Sequence, residues 1–232
     1  MIIFENVFKE YSNGVMALSN INLTVNDGDF VFLVGNSGAG KSSVIKLLIR
    51  EEDVTRGKIL VDGEDITRLR DRKIPHLRKK ISVVFQDFRL LEKKNVFENV
   101  AYALEIQGES KKNINLKVNE ALELVNLKSR SSSYPSELSG GESQRVSIAR
   151  AIVYDAPILV CDEPTGNLDR NTAWEIMNAL LKINEKGTTI IMATHAYDIV
   201  NKLQKRVVTI NDGHIISDVS SGGYYEDIKT DN

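Results

Sequence analysis

The sequence predicts an α/β fold with a mostly parallel sheet covered on both faces and a helical subdomain inserted in its middle. Short apolar runs alternate with longer segments of helical period, the pattern of strands joined by crossover helices. A mostly helical stretch from Val96 to about Val125 interrupts that alternation. A glycine-rich run, Gly35 to Ser42, stands between an apolar strand and a helix.

Taken in order, Ile21–Val25 and Phe30–Val34 read as strands, followed by helix Lys41–Ile49. Lys58–Val61 and Ile81–Phe85 are further strands, with a turn signal at Asp62-Gly63. Polar breaks at Gly108–Asn115 interrupt the central helical stretch, and a Ser/Pro loop spans Ser129–Ser136. Helix Glu142–Val153 stops before Pro157. Strand Ile158–Cys161, helix Asn171–Lys186 and strand Thr188–Ala193 resume the alternation. Strands Arg206–Ile210 and His214–Asp218 close the fold around a hairpin turn at Asn211-Asp212-Gly213. Ser220–Asn232 reads as a loose polar tail.

The 232 residues suit one compact domain or a core carrying one subdomain, and 42% apolar residues can fill a sizeable interior. Thirty basic residues against 32 acidic ones leave a formal charge of −2, without the basic excess of a general nucleic-acid binder. Cys161 is the single cysteine, so no internal disulfide can form, and a reducing compartment is the simple reading. No apolar run approaches the ~18 residues of a membrane-spanning helix. The start, Met1–Asn6, lacks the pattern of a secretory signal, so work at a membrane would require recruitment.

Gly35-Asn36-Ser37-Gly38-Ala39-Gly40-Lys41-Ser42 has the spacing of a phosphate-binding loop. Its glycines let the backbone wrap a phosphate chain, and successive N–H groups with the helix N-terminus favour an anion. Lys41 would reach the β- and γ-phosphates, and the Ser42 hydroxyl would bind Mg²⁺. Strand Ile158–Cys161 ends in Asp162 and Glu163, at the sheet edge where ligands of parallel sheets bind. Asp162 would hold Mg²⁺, through water, and Glu163 would face the water attacking the γ-phosphorus. The alternative is an exposed acidic turn before Pro164. Cys161 reads as an inert core thiol.

Leu138-Ser139-Gly140-Gly141-Glu142, continued by Ser143-Gln144-Arg145-Val146-Ser147-Ile148-Ala149-Arg150-Ala151, resembles the signature motif and helix of the ABC ATPase family. Physically, Ser-Gly-Gly at a helix tip is a second anion site. The resemblance covers essentially the whole chain. It implies a P-loop NTPase (RecA-like) core at 1–86 and 157–219, an N-terminal antiparallel β part and a helical subdomain at about 87–156. It also implies a head-to-tail homodimer formed on ATP, in which Ser139, Gly140, Gly141 and Asp169 of one copy meet the nucleotide held by the other. Gln86 matches a glutamine that touches Mg²⁺ and the attacking water, and Asn167-Leu168-Asp169 matches the loop passing between the two sites. His195 matches a histidine that contacts the γ-phosphate. Tyr11 sits where an aromatic stacks on adenine, and Ser43 stands where a threonine is usual. Ser143 and Ala196 are further departures, and Ala196 bears on how His195 is held.

Asp162-Glu163-Pro164-Thr165-Gly166-Asn167-Leu168-Asp169 resembles a group of division, lipoprotein-release and macrolide-export ATPases. The runs Asp65–Leu69, Ile74–Arg78, Val84–Asp87 and Asn95–Val100 lean to the division type of Gram-positive bacteria. That resemblance implies an FtsX-like integral membrane partner, indirect control of a peptidoglycan hydrolase, and a place on the cytoplasmic face of the plasma membrane at the division site. Phe88, Leu90 and Leu91 would form an apolar socket for the partner or, equally, pack the subdomain core. The basic stretch from Arg68 to Lys80 reads as a solvated face before a lipid-binding one.

Overall fold

The computed structural model of the chain describes residues 1–166 and 168–222. In chain order its elements are β1 (Ile2–Glu10), β2 (Met16–Val25), β3 (Phe30–Val34), α1 (Lys41–Leu48), β4 (Arg56–Val61), β5 (Glu64–Asp65), α2 (Ile74–Lys80), β6 (Ile81–Val84), α3 (Val96–Glu105), α4 (Lys111–Leu124), α5 (Gly140–Ile152), β7 (Ile158–Asp162), α6 (Arg170–Glu185), β8 (Thr189–Ala193), α7 (Tyr197–Leu203), β9 (Arg206–Asn211) and β10 (His214–Val219). They fall into two compact units, Met1–Arg78 with the residues from Ile191 on, and Lys79–Ile190. Residue 167 and most of the expected tail, residues 223–232, lie outside the described residues.

In the first unit β1 pairs antiparallel with β2 and β4 in the order β2-β1-β4-β5. Periodicity misses β1 for a physical reason. Ile2 and Phe4 face inward, then the alternation slips so that Val7 and Lys9 do. The slip falls at Asn6, which is left-handed at φ 48, and the register shifts against both partner strands there. β3 is buried along its length and runs parallel to β9, Val31 beside Arg206 through Val34 beside Thr209. β9 returns as antiparallel β10 across Asp212 (φ 44) and Gly213 (φ 76), the left-handed pair of a tight hairpin turn.

In the second unit β6 runs parallel to β7, Ile81 beside Ile158 through Val84 beside Cys161. The central helical stretch resolves into α3 and α4, and the break ends at Ser110, which caps α4. Asn95 with Glu98 forms a capping box on α3. The same device opens α5, which packs on α3 and α4. The short helices α2 and α7 carry weak signals: α2 contains Pro75 and buries only Leu77, while α7 follows Ala196 at its N-cap, with no side-chain cap hydrogen bond. Among the described residues no helix is long and apolar enough to cross a membrane.

Candidate functional site

The first unit brings together Gly35–Ser43, Tyr11 and His195. β3 delivers the loop and α1 leaves it, with Lys41 as the first helical residue. Two glycines are dictated by close backbone approach. A Cβ on Gly35 would lie 2.0 Å from the Ile210 carbonyl oxygen, and one on Gly40 would lie 2.6 Å from that of Ala17. Both are also left-handed, at φ 145 and φ 111. The β9–β10 turn braces the loop, since the Gly213 N–H donates to the Ala39 carbonyl (3.0 Å) and the Ser19 N–H to that of Gly213 (2.8 Å). Asn36, Ser37, Gly38 and Ser42 are exposed at the mouth. The Lys41 ammonium folds back over the loop, donating to the carbonyls of Gly35 (2.7 Å) and Asn36 (3.1 Å), with the residue only 8% exposed.

Tyr11 closes one flank. Its hydroxyl lies 3.1 Å from the Ser43 hydroxyl on α1. The Lys9 ammonium sits 4.8 Å from the ring centroid. Lys9 is buried and fixed by Glu52 (2.8 Å) and the Asp53 carbonyl (2.9 Å). Inward-facing Lys9 is a contributor that reading the sequence missed, because the slip at Asn6 hides its alternation with Val7. His195 is exposed just beyond β8. The Thr194 N–H donates to the Leu33 carbonyl at 3.0 Å, so His195 leaves from the edge at which β3 opens into the loop.

The second unit forms two clusters. Gln86 and Asp162-Glu163 follow paired strand ends, since Val84 lies beside Cys161. Gln86 is exposed in a turn, whereas Asp162 and Glu163 are half-buried. Glu163 is left-handed at φ 50, an uncommon conformation for a residue with a Cβ. Cys161 is fully buried, and burial pushes its thiol pKa far up, as expected of an inert core thiol.

The other cluster is the tip of α5 beside that of α6. The Ser139 hydroxyl accepts from the Glu142 N–H (3.3 Å) and donates to the Glu142 carboxylate (2.9 Å). The Ser139 N–H donates to the same carboxylate (2.9 Å), and Arg130 holds it from the other side (3.0 Å). Those Ser139 donors, with Arg130 behind them, hold the Glu142 carboxyl below its usual range. The S-x-x-E spacing is the signal from which this role of Glu142 was readable. Asp169 accepts from the N–H groups of Asn171 (3.0 Å) and Thr172 (3.1 Å), and contacts with Thr172 lower its pKa.

The glycines of this tip differ. A Cβ on Gly141 would come 2.7 Å from the Thr172 Cγ2, whereas one on Gly140 would meet nothing within 4 Å. The Thr172 methyl cannot swing aside freely, because its side chain also bonds Asp169. Gly141→Ala should therefore destabilise the chain by roughly 1–3 kcal/mol. Gly140→Ala should leave the melting temperature unchanged or higher. Paired thermal melts of the two variants check this, and equal losses would show that Thr172 does not set the difference.

Phe88, Leu90 and Leu91 are half-buried, between the two roles expected of them. In the basic stretch Arg78 is spent on the carbonyls of Ile49 (3.2 Å) and Arg50 (3.1 Å), and Lys73 lies 3.6 Å from Glu64.

The sequence matches the ABC transporter family over residues 18–166. The chain belongs to that family. This ABC family member is 52% identical over 224 residues to the cell division ATP-binding protein FtsE of Bacillus subtilis, covering 97% of this chain and 98% of the relative. It is 49% identical to FtsE of Streptococcus pneumoniae, covering 98% and 99% of the two chains. Among solved structures it is similar to the dimeric post-hydrolysis state of the ATP-binding cassette MJ0796 bound to ADP and Pi, with a TM-score of 0.89 and 32% identity over 97% of this chain and all of that one.

Proposed function

We propose that this ABC ATPase dimerises on ATP and uses hydrolysis to bend a separate FtsX-like membrane protein, whose outer part controls a peptidoglycan hydrolase during cell division. The observation that carries the division role is near-full-length identity of about one residue in two to FtsE proteins. The loop supports the nucleotide, because Asn36, Ser37 and Gly38 are exposed where the chain turns into the N-terminus of α1, whose N–H groups favour an anion. Magnesium fits the donor set, since the Ser42 hydroxyl, the Gln86 amide and the Asp162 carboxylate are all hard oxygen ligands. When bound, the ion would neutralise charge on the phosphates.

The chain's own residues do the rest. The loop N–H groups and Lys41 bind the phosphate chain, and Tyr11 stacks on the base. Glu163 orients the attacking water and accepts its proton, Gln86 helps position that water, and His195 contacts the γ-phosphate. Ser139, Gly140, Gly141 and Asp169 of one protomer close over the nucleotide of its partner. The surface that meets the membrane protein would lie between Gln86 and the helical subdomain, roughly Asp87–Leu104.

Solubilised membranes of the source cells test the division role, with the Glu163→Gln variant as ATP-loaded bait. An FtsX-like four-helix protein should co-purify. Recovery of a lipoprotein-release or macrolide-type exporter instead would move the same motor chemistry to transport.

A further inference from the structure

The loop that follows β6 contains two consecutive non-glycine residues in the left-handed region, Phe88 at φ 58 and Arg89 at φ 48. Side chains with a Cβ resist that conformation, so a turn built this way persists only where neighbours hold it. Two side chains do so. Asn99 of α3, fully buried, accepts from the Leu91 N–H (2.8 Å) and donates to the carbonyls of Leu91 (3.1 Å), Lys94 (2.8 Å) and Asn95 (3.0 Å). That fixes the far end of the loop. Arg150, in the last turn of α5, donates from one guanidinium nitrogen to the Arg89 carbonyl (2.6 Å) and from the other to the Phe88 carbonyl (2.7 Å). The strained pair thus lies directly under a two-pronged donor.

We propose that Arg150 is a positioning residue for Gln86, holding the Phe88-Arg89 turn so that Gln86, two residues upstream, keeps its place at the end of β6. The inference rests on the assignment of Gln86 to the nucleotide site. The guanidinium fork meets the two carbonyls with two separate nitrogens in fixed planar geometry, whereas a lysine would have to share one flexible ammonium between them. Burial lowers the Arg150 pKa, as expected of a guanidinium held away from water, where hydrogen bonds are stronger. The Arg89 guanidinium stacks 3.7 Å from the centre of the Phe85 ring, which pins the near side of the turn. Arg150 also joins this loop to the helix that begins at Gly140, 13 residues and about 20 Å long.

The test is steady-state ATP turnover and equilibrium ATP binding of the full chain as Gln86→Ala, Arg150→Lys and the double variant. Arg150→Lys should lower turnover about 10-fold and leave the ATP Kd within about twofold, the pattern of lost positioning rather than lost binding. In the Gln86→Ala background it should have no further effect. Multiplicative losses in the double variant, or a wild-type rate for Arg150→Lys, would overturn the proposal while leaving the Gln86 assignment intact. An unchanged rate in Gln86→Ala alone would end both. A second pair leaves Arg150 in place: Phe88→Ile, which resists positive φ, should slow turnover as Arg150→Lys does, and Phe88→Gly should not. Equal rates for that pair refute the inference even where Arg150→Lys does not fold.

Discussion

Replacing Lys41 with alanine should abolish ATP binding. The ammonium is nearly buried and already fixed on the carbonyls of Gly35 and Asn36. Removing it takes a charge-assisted donor from the phosphate chain and from the Gly35 carbonyl, while the Asn36 carbonyl keeps the Ala39 N–H (3.1 Å). Losses of this kind run to about 2–5 kcal/mol. A value of about 3 kcal/mol corresponds to a Kd raised more than 100-fold. Calorimetric titration with ATP on a variant of native circular dichroism checks it. A Kd within threefold of the wild type would dismiss the loop as the phosphate site.

Glu163→Gln should separate binding from turnover. The substitution keeps the shape of the side chain and removes its basicity. A well-placed general base contributes about 10²–10⁴-fold, so turnover should fall at least 100-fold with ATP affinity preserved. The ATP-bound dimer should then accumulate, visible by size-exclusion chromatography with nucleotide present and absent. The backbone adds an independent check. At φ 50 a side chain is strained, so Glu163→Gly should be equally inactive yet more stable, by about 1 kcal/mol. A glycine variant less stable than the wild type would show that the glutamate is held there by packing, and undiminished turnover in Glu163→Gln would take it out of the chemistry.

The strand–loop–helix turn at Gly35–Ser42 was legible because its residues answer to backbone constraints that act locally. Gly35 and Gly40 are glycines for reasons a spacing pattern records. The acidic strand end was legible likewise, since a continuous apolar run such as Ile158–Cys161 marks a buried parallel strand. What escaped was set by long-range contacts. β1 slips its alternation at Asn6, and no local signal marks a bulge. Arg150 sits on a helix whose polar residues look solvent-facing until the loop beneath them is seen. Asn99 is likewise a polar residue inside a helical pattern, and only the carbonyls around it explain its burial. The difference between Gly140 and Gly141 is invisible in a run of two glycines, because it depends on Thr172, which is distant in the chain.

Ser139 and Asp169 each cap a helix N-terminus, and both are proposed to meet the nucleotide of a partner protomer. Residues with two duties are poor material for tuning: an exchange that adjusts the contact also frays a helix. Variation that changes catalysis while sparing the fold should therefore concentrate at Gly140, the one position of that tip where the chain's own packing demands nothing, and a saturation library scored separately for abundance and for turnover would display the asymmetry.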